Sequence, residues 1–275
     1  MLCKALEGIN AKNYVEKLKK DALKLKTLPR YYMIEINPNL PFCPIYKPCE
    51  VATKEPMSLK DFSQIIQKIS QFSSDAIISL SIYGDPLESE YFVDMAKIVL
   101  KEKNLSLLIE THGVAEGAKE KIEAIQKIVK EESVRAMSTP PLYWITFIDA
   151  TTAKTYAKLY NIGEDEATTL LKKAYETAEF ATALFGENAF VQIVRMNENE
   201  DELEGFYRNW KERGTQVIIQ KYDHYCSHLP DRRVADLSPL KRMPCRHLSR
   251  DVCISCNGDV LLCKEDVMKN HIMGN

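Results

Sequence analysis

The sequence of 275 residues lacks the features that would send it to a membrane, a nucleic acid or an extracellular space. No apolar run approaches the roughly 18 residues that a transmembrane helix needs. The opening stretch, "MLCKALEGINAKNYVEKLKK", is lysine-rich and has no apolar centre of the kind a secretion signal carries. The formal net charge is only −2, which gives no electrostatic case for a polyanionic partner. Internal repeats and low-complexity tracts are absent. The expectation is a cytoplasmic protein with no nucleic-acid or membrane partner. At 45% hydrophobic and 28% charged residues, the composition is that of an ordinary globular chain.

Eight cysteines are present. In a reducing compartment disulfides are rare, so metal and redox roles gain weight. Cys3 and Cys226 stand alone and read as small buried hydrophobes. Cys43 and Cys49 share a proline-rich loop. Cys245, Cys253, Cys256 and Cys263 crowd together near the end.

The periodicity predicts a charged helix over 10–28, then alternation. Strands are expected at 31–36, 76–84, 105–111, 142–149, 189–196 and 215–222. Helices are expected at 58–72, 89–103, about 115–131, between 149 and 185, and at 201–213. Within 58–72 the apolar face is Leu59, Phe62, Ile66, Ile69 and Phe72, with Ser58 as N-cap. Strands apolar on both faces and alternating with helices predict right-handed βαβ units and a parallel sheet covered on both sides. Six units between 31 and 222 suit an open or partial barrel better than eight-fold closure. Trp144 and Trp210 fall at core positions. After Tyr222 the periodicity fades into a linker that leads to a small cysteine-rich unit.

In parallel α/β sheets the chemistry gathers at the carboxyl ends of the strands. That rule singles out "NPNLPFCPIYKPC" after the first strand, "YGDP" (Tyr83, Gly84, Asp85, Pro86), "THG" (Thr111, His112, Gly113), Asp149 and Arg195. His112 suits either a base or a turn histidine bonded to backbone. Asp149 suits either a ligand-binding carboxylate or the cap of the helix that follows. The tail spacing C-x7-C-x2-C-x6-C is not a standard zinc finger, and residues three apart on a strand face opposite ways, so Cys253 and Cys256 converge only in a turn. The basic cluster in "DRR" and "LKR" reads as a solvated face. Residues 251–264 are expected to form a hairpin turning at Asn257–Gly258.

In this order, these residues resemble the radical SAM superfamily. The loop with Cys43 looks like the end of that family's C-x3-C-x2-C cluster loop. "YGDP" looks like the segment that contacts the amino group of the methionine moiety, and "ETHG" is similar to the turn after the third strand. The tail, in which Cys245, twelve residues, Gly258 and Cys263 follow one another, is similar to the start of a SPASM annex. The blend is most like spirochaete spiro-SPASM proteins. The resemblance implies an α/β partial (β/α)6 barrel over 31–222, an N-terminal helical extension over 1–30, a linker over 223–239 and a truncated SPASM-like segment over 240–275.

As cofactors the resemblance implies S-adenosylmethionine and an iron–sulfur cluster, with zinc as another occupant of the tail. It implies a peptide or small-molecule substrate. The ligand-contacting residues would be Tyr83, Gly84, Asp85, Pro86, Thr111, His112, Gly113 and Asp149. The metal-ligating residues would be Cys43, Cys49, Cys245, Cys253, Cys256 and Cys263. The sequence departs from the family at the loop. Counting back from Cys43, the other two thiolates should fall at Leu40 and Ile36, and iron–sulfur clusters need thiolates. Asp85 also stands where the family has glutamate. A non-catalytic barrel used as a binding scaffold, with a structural metal in its tail, is therefore carried alongside the enzyme reading.

Overall fold

Strand β1 (Tyr31–Ile34) pairs in parallel with β2 (Ala76–Ser79), β2 with β3 (Leu105–Thr111), and β3 with β4 (Leu142–Phe147). The parallel series continues through β5 (Ala189–Arg195) to β6 (Gln216–Lys221). The computed structural model describes residues 29–52, 55–132, 139–236 and 245–275. The helix expected over 10–28, and Cys3 with it, lies outside the described residues. Helices α1 (Leu59–Phe72), α2 (Phe92–Lys101), α3 (Ala118–Glu131), α4 (Ala153–Tyr160), α5 (Glu164–Phe185) and α6 (Leu203–Glu212) connect the strands. This is the α/β partial barrel that the alternation predicts.

Residues after 245 add a short helix α7 (His247–Arg250) and three strands, β7 (Asp251–Ile254), β8 (Val260–Leu261) and β9 (Ile272–Gly274). β7 lies parallel to β1 on the edge opposite β2, and β8 and β9 continue antiparallel. The sheet order is β6-β5-β4-β3-β2-β1-β7-β8-β9. The cysteine-rich segment thus extends the barrel's own sheet.

Side-chain alternation sets the layers. In β3, Leu105, Leu107 and Ile109 are fully buried in the main apolar cluster, which also takes in Phe62 and Ile66 of α1 and Ile122 and Ile125 of α3. Glu110 falls in the opposite phase, as do Tyr31, Met33 and Glu35 of β1 and its exit. A second cluster, containing Trp210, Phe206 and Tyr156, fills the space under α4, α5 and α6. Trp144 and Trp210 are fully buried. Helix α1 starts on Ser58, whose hydroxyl accepts from the Asp61 amide at 3.1 Å. Phe72 departs from the expected stripe and stays 48% exposed, because the face through Ile66 and Ile69 continues at Ser73.

Several strands end earlier than the apolar runs suggest. β2 stops at Ser79 because residues 82–84 turn away to bond the Glu35 carboxylate. Gly84 then packs on the β1 exit so closely that a Cβ would lie 2.0 Å from the Asn37 carbonyl oxygen and 2.8 Å from the Pro38 carbonyl carbon. Both obstacles are backbone, so neither can rotate aside. Gly84→Ala is expected to lower stability by about 3 kcal/mol, read as a drop in the urea midpoint at unchanged slope.

Candidate functional site at the barrel mouth

The loops after β1, β2, β3 and β4 meet at the carboxyl ends of the strands. Asp85 is fully buried and its oxygens are already occupied. Oδ2 accepts from the Thr111 hydroxyl at 2.9 Å and the His112 amide at 2.8 Å, and Oδ1 accepts from the Leu87 amide at 3.0 Å. His112 Nδ1 stands 3.4 Å from Oδ2. Burial pushes the Asp85 pKa up, but the His112 hydrogen bonds and the amide donors outweigh it and hold the carboxyl below its usual range. The Thr111 hydroxyl also accepts the Gly113 amide at 3.0 Å. Gly113 itself has a φ of +72°, which glycine adopts freely. Pro86 opens a short 3₁₀ helix, Pro86–Glu88, that Asp85 caps.

Tyr83 turns from the mouth toward the tail, donating its hydroxyl to the Lys264 carbonyl at 2.7 Å. Asp149 is fully buried, and its Oδ2 accepts from Tyr160 while its Oδ1 has no partner. Burial raises its pKa. It does not cap the following helix: Thr152 does, accepting from the Thr155 amide at 3.3 Å. Arg195 lies outside this group, in a surface pair with Glu200.

Glu35 is a site residue that the motif search missed. Its Oε2 accepts the amides of Ile82 at 3.2 Å, Tyr83 at 2.5 Å and Gly84 at 3.2 Å, while the buried Oε1 has no partner. Burial lifts its pKa to about 7, against the three amides and Lys47. The signal for it was available: an acid at an inward-facing position just past an apolar strand. Behind the mouth loops, Glu35 Oε1, His112 Nδ1 and Asp149 Oδ1 are buried without a hydrogen-bond partner among the described residues. Asp85, the expected ammonium acceptor, is committed elsewhere.

The loop of residues 38–49 runs differently from a cluster loop. Cys43 and Cys49 are exposed and joined in a disulfide, with their Cα atoms 5.9 Å apart. Sulfurs so bonded present no thiolate to a metal. Ile36 is fully buried in the main apolar cluster. Tyr46 and Lys47 fill the inward side of the loop. The Tyr46 hydroxyl is 3.2 Å from His112 Nε2, and the Lys47 ammonium sits 4.6 Å from the Phe147 ring centroid. The residues at this mouth therefore do not fit a four-iron cluster with an open iron, which needs three protein thiolates.

The tail cysteines separate by face. Cys253 pairs in register with Met33 and packs beside Tyr225 and Leu261, and burial pushes its thiol up to about 12. Cys256 sits on the opposite face, in the main apolar cluster. The hairpin turn centres one residue earlier than expected. The Gly258 amide bonds the Ser255 carbonyl at 2.9 Å and the Ser255 amide bonds Asp259 at 2.9 Å, which leaves Gly258 as the left-handed residue at φ +87°.

A cavity of about 700 Å3 is lined by Cys245, Cys253, Cys263 and also Cys226, which is exposed rather than the buried hydrophobe that its isolation in the sequence suggests. Tyr225, Cys226 and Ser227 all have positive φ (49°, 53° and 71°), a strained run for residues other than glycine. Among the described residues, no three metal-ligating side chains converge on a single point.

With this geometry in hand, the comparisons agree on the fold. The architecture is the radical SAM partial barrel. BtrN in complex with AdoMet and 2-DOIA superposes with a TM-score of 0.53 at 14% identity, over 90% of this chain and 78% of that one. SuiB of Streptococcus suis bound to precursor peptide SuiA gives 0.67 at 13% identity, over 95% of this chain and 65% of that one. SuiB bound to S-adenosylmethionine gives 0.63. No family model matches the sequence. The chain is 41% identical over 278 residues to an uncharacterized protein of Treponema pallidum (strain Nichols), spanning 99% of this chain and 76% of that protein. It belongs to the same family as that protein.

The raised pKa of Glu35 sets a pH dependence. A carboxyl whose folded pKa exceeds its unfolded value of about 4.3 stabilises the fold fully below that value, and loses the contribution as pH rises through 7. Between pH 4.5 and 8 the wild type is expected to lose on the order of 3 kcal/mol relative to Glu35→Gln, in denaturant titrations at stepped pH.

Proposed function

We propose that this chain is a radical SAM-fold protein of the spirochaete SPASM-bearing kind. Its barrel mouth binds a small ligand of the S-adenosylmethionine class without cleaving it. One observation carries this reading. The loop that would supply thiolates turns its two cysteines outward, bonded to each other, and turns Tyr46 and Lys47 inward. Glu35 and Asp149 leave unpartnered oxygens buried behind the mouth loops, and this acidic backing favours a ligand bearing positive charge. Thr111 and His112 are fixed on Asp85, and the Gly113 amide on the Thr111 hydroxyl, so the turn after β3 is rigid.

The test is anaerobic reconstitution with iron and sulfide after reduction of Cys43–Cys49, in a Cys245→Ala/Cys263→Ala background. Calorimetry is expected to show S-adenosylmethionine binding, with no 5′-deoxyadenosine formed on adding dithionite. A brown species of about four irons per chain that vanishes in Cys43→Ala/Cys49→Ala, with reductive cleavage of the ligand, sinks the proposal in favour of a radical enzyme.

A second reading rests on the tail cavity. Four thiols, Cys226, Cys245, Cys253 and Cys263, line one space, and the strained run holds Cys226 at its rim. This supports an iron–sulfur or zinc site that forms only as the thiols close on the ion, since no three of them converge as they stand among the described residues, in a protein that handles a peptide or small substrate. Cys226→Ala is expected to remove most of the iron or zinc retained by the otherwise unmodified chain, and Cys256→Ala to leave it unchanged. Equal metal content in both variants, measured by plasma emission, refutes this ligand set.

A further inference from the structure

Lys47 is the one lysine in the buried set among the described residues, at 8% exposure. Its Nζ makes no hydrogen bond or ion pair among them and rests against the Phe147 ring. Lys264 lines the same mouth cavity and is the internal contrast. Its ammonium bonds Asp223 at 2.7 Å and approaches Glu265 at 3.6 Å, and these charges hold it protonated. At Lys47 burial acts first and lowers the pKa, outweighing the opposing pull of Glu110, Asp85, Glu35 and Asp149. Glu110, the acid that acts on it most, is itself raised by burial and accepts from the Ser79 hydroxyl at 3.2 Å. Between these groups lies a cavity of about 190 Å3, also lined by Tyr31, Ser81 and Gln220.

We propose that Lys47 is a nucleophilic amine that condenses with a small, neutral, hydroxylated aldehyde or ketone in the mouth cavity. Buried lysines serve as Schiff-base nucleophiles because desolvation favours the free amine. The Nζ lone pair adds to the carbonyl carbon as the C=O π bond opens, and the oxygen takes up the proton that nitrogen gives up. The resulting carbinolamine expels that oxygen as water while the C=N bond forms. No electron is transferred and water is the sole product released. Glu110, which lines the same cavity, is the group assigned to relay the protons. The buried carboxylates around Lys47 disfavour an anionic substrate, while Tyr31, Ser81 and Gln220 suit hydroxyl groups.

This inference does not rest on the ligand proposed above, and its test contains no S-adenosylmethionine. The full chain is pulsed with glycolaldehyde and sodium cyanoborohydride at pH 7, and hydroxyethylated peptides are quantified by mass spectrometry. Lys47 is expected to be modified roughly tenfold faster than Lys264 and faster than every exposed lysine. A rate at or below that of the exposed lysines overturns the proposal. In Lys47→Arg the fast-labelled peptide should disappear while the remaining lysines keep their rates.

Discussion

The bond between the Glu35 carboxylate and three consecutive amides, Ile82 to Gly84, organises the mouth. It ties the exit of β1 to the exit of β2, and Gly84 completes the join by lying flat against Asn37 and Pro38. Asp85 follows immediately and reaches across to Thr111 and His112, so the β3 turn is fixed by the same chain of contacts. His112 in turn meets Tyr46 of the first loop. Each loop is held by its neighbour, from Glu35 round to Tyr46.

That circuit explains how a loop missing two thiolates keeps its place. A cluster would normally impose the loop's path through its bonds to sulfur. Here the path is imposed by apolar burial of Ile36, by the short covalent closure from Cys43 to Cys49, and by Tyr46 and Lys47 pointing inward. A buried lysine amine lining the mouth cavity is chemically unlike an iron–sulfur surface.

Much of the frame was legible in the sequence because it depends on local pattern. Helix α1 with its Ser58 cap and the heptapeptide strand Leu105–Thr111 follow from periodicity alone. The shortened strands were not legible, because their ends are set by distant groups; β2 ends where Glu35 captures its exit. The same holds for Asp149, which flanks a helix start as a cap would, yet Thr152 takes the capping role and leaves Asp149 to Tyr160. The hairpin turn shifted by one residue for a similar reason, since the Ser255–Asp259 bond decides its centre. Lys47 was beyond sequence reading altogether. A lysine between prolines in a loop reads as solvated, and only the tertiary path turns it inward. Cys226 joined the tail cysteines only once the fold brought residue 226 beside 263.

The parallel pairing of β1 with β7 has a consequence for how the chain acquires its structure during synthesis. β1 gains β2 as a neighbour within some tens of residues, but its other edge is satisfied only by residues 251–254. At a translation rate of roughly 5–20 residues per second, that edge waits on the order of ten to forty seconds on the ribosome. A central strand with one row of amides and carbonyls unclaimed is a template for pairing with other nascent chains. The long-range contact also raises the contact order of an otherwise locally wired barrel, which slows the last folding step. The barrel's first strand is therefore its last to be finished, and a chaperone that shields exposed strand edges would act on this protein before its tail emerges.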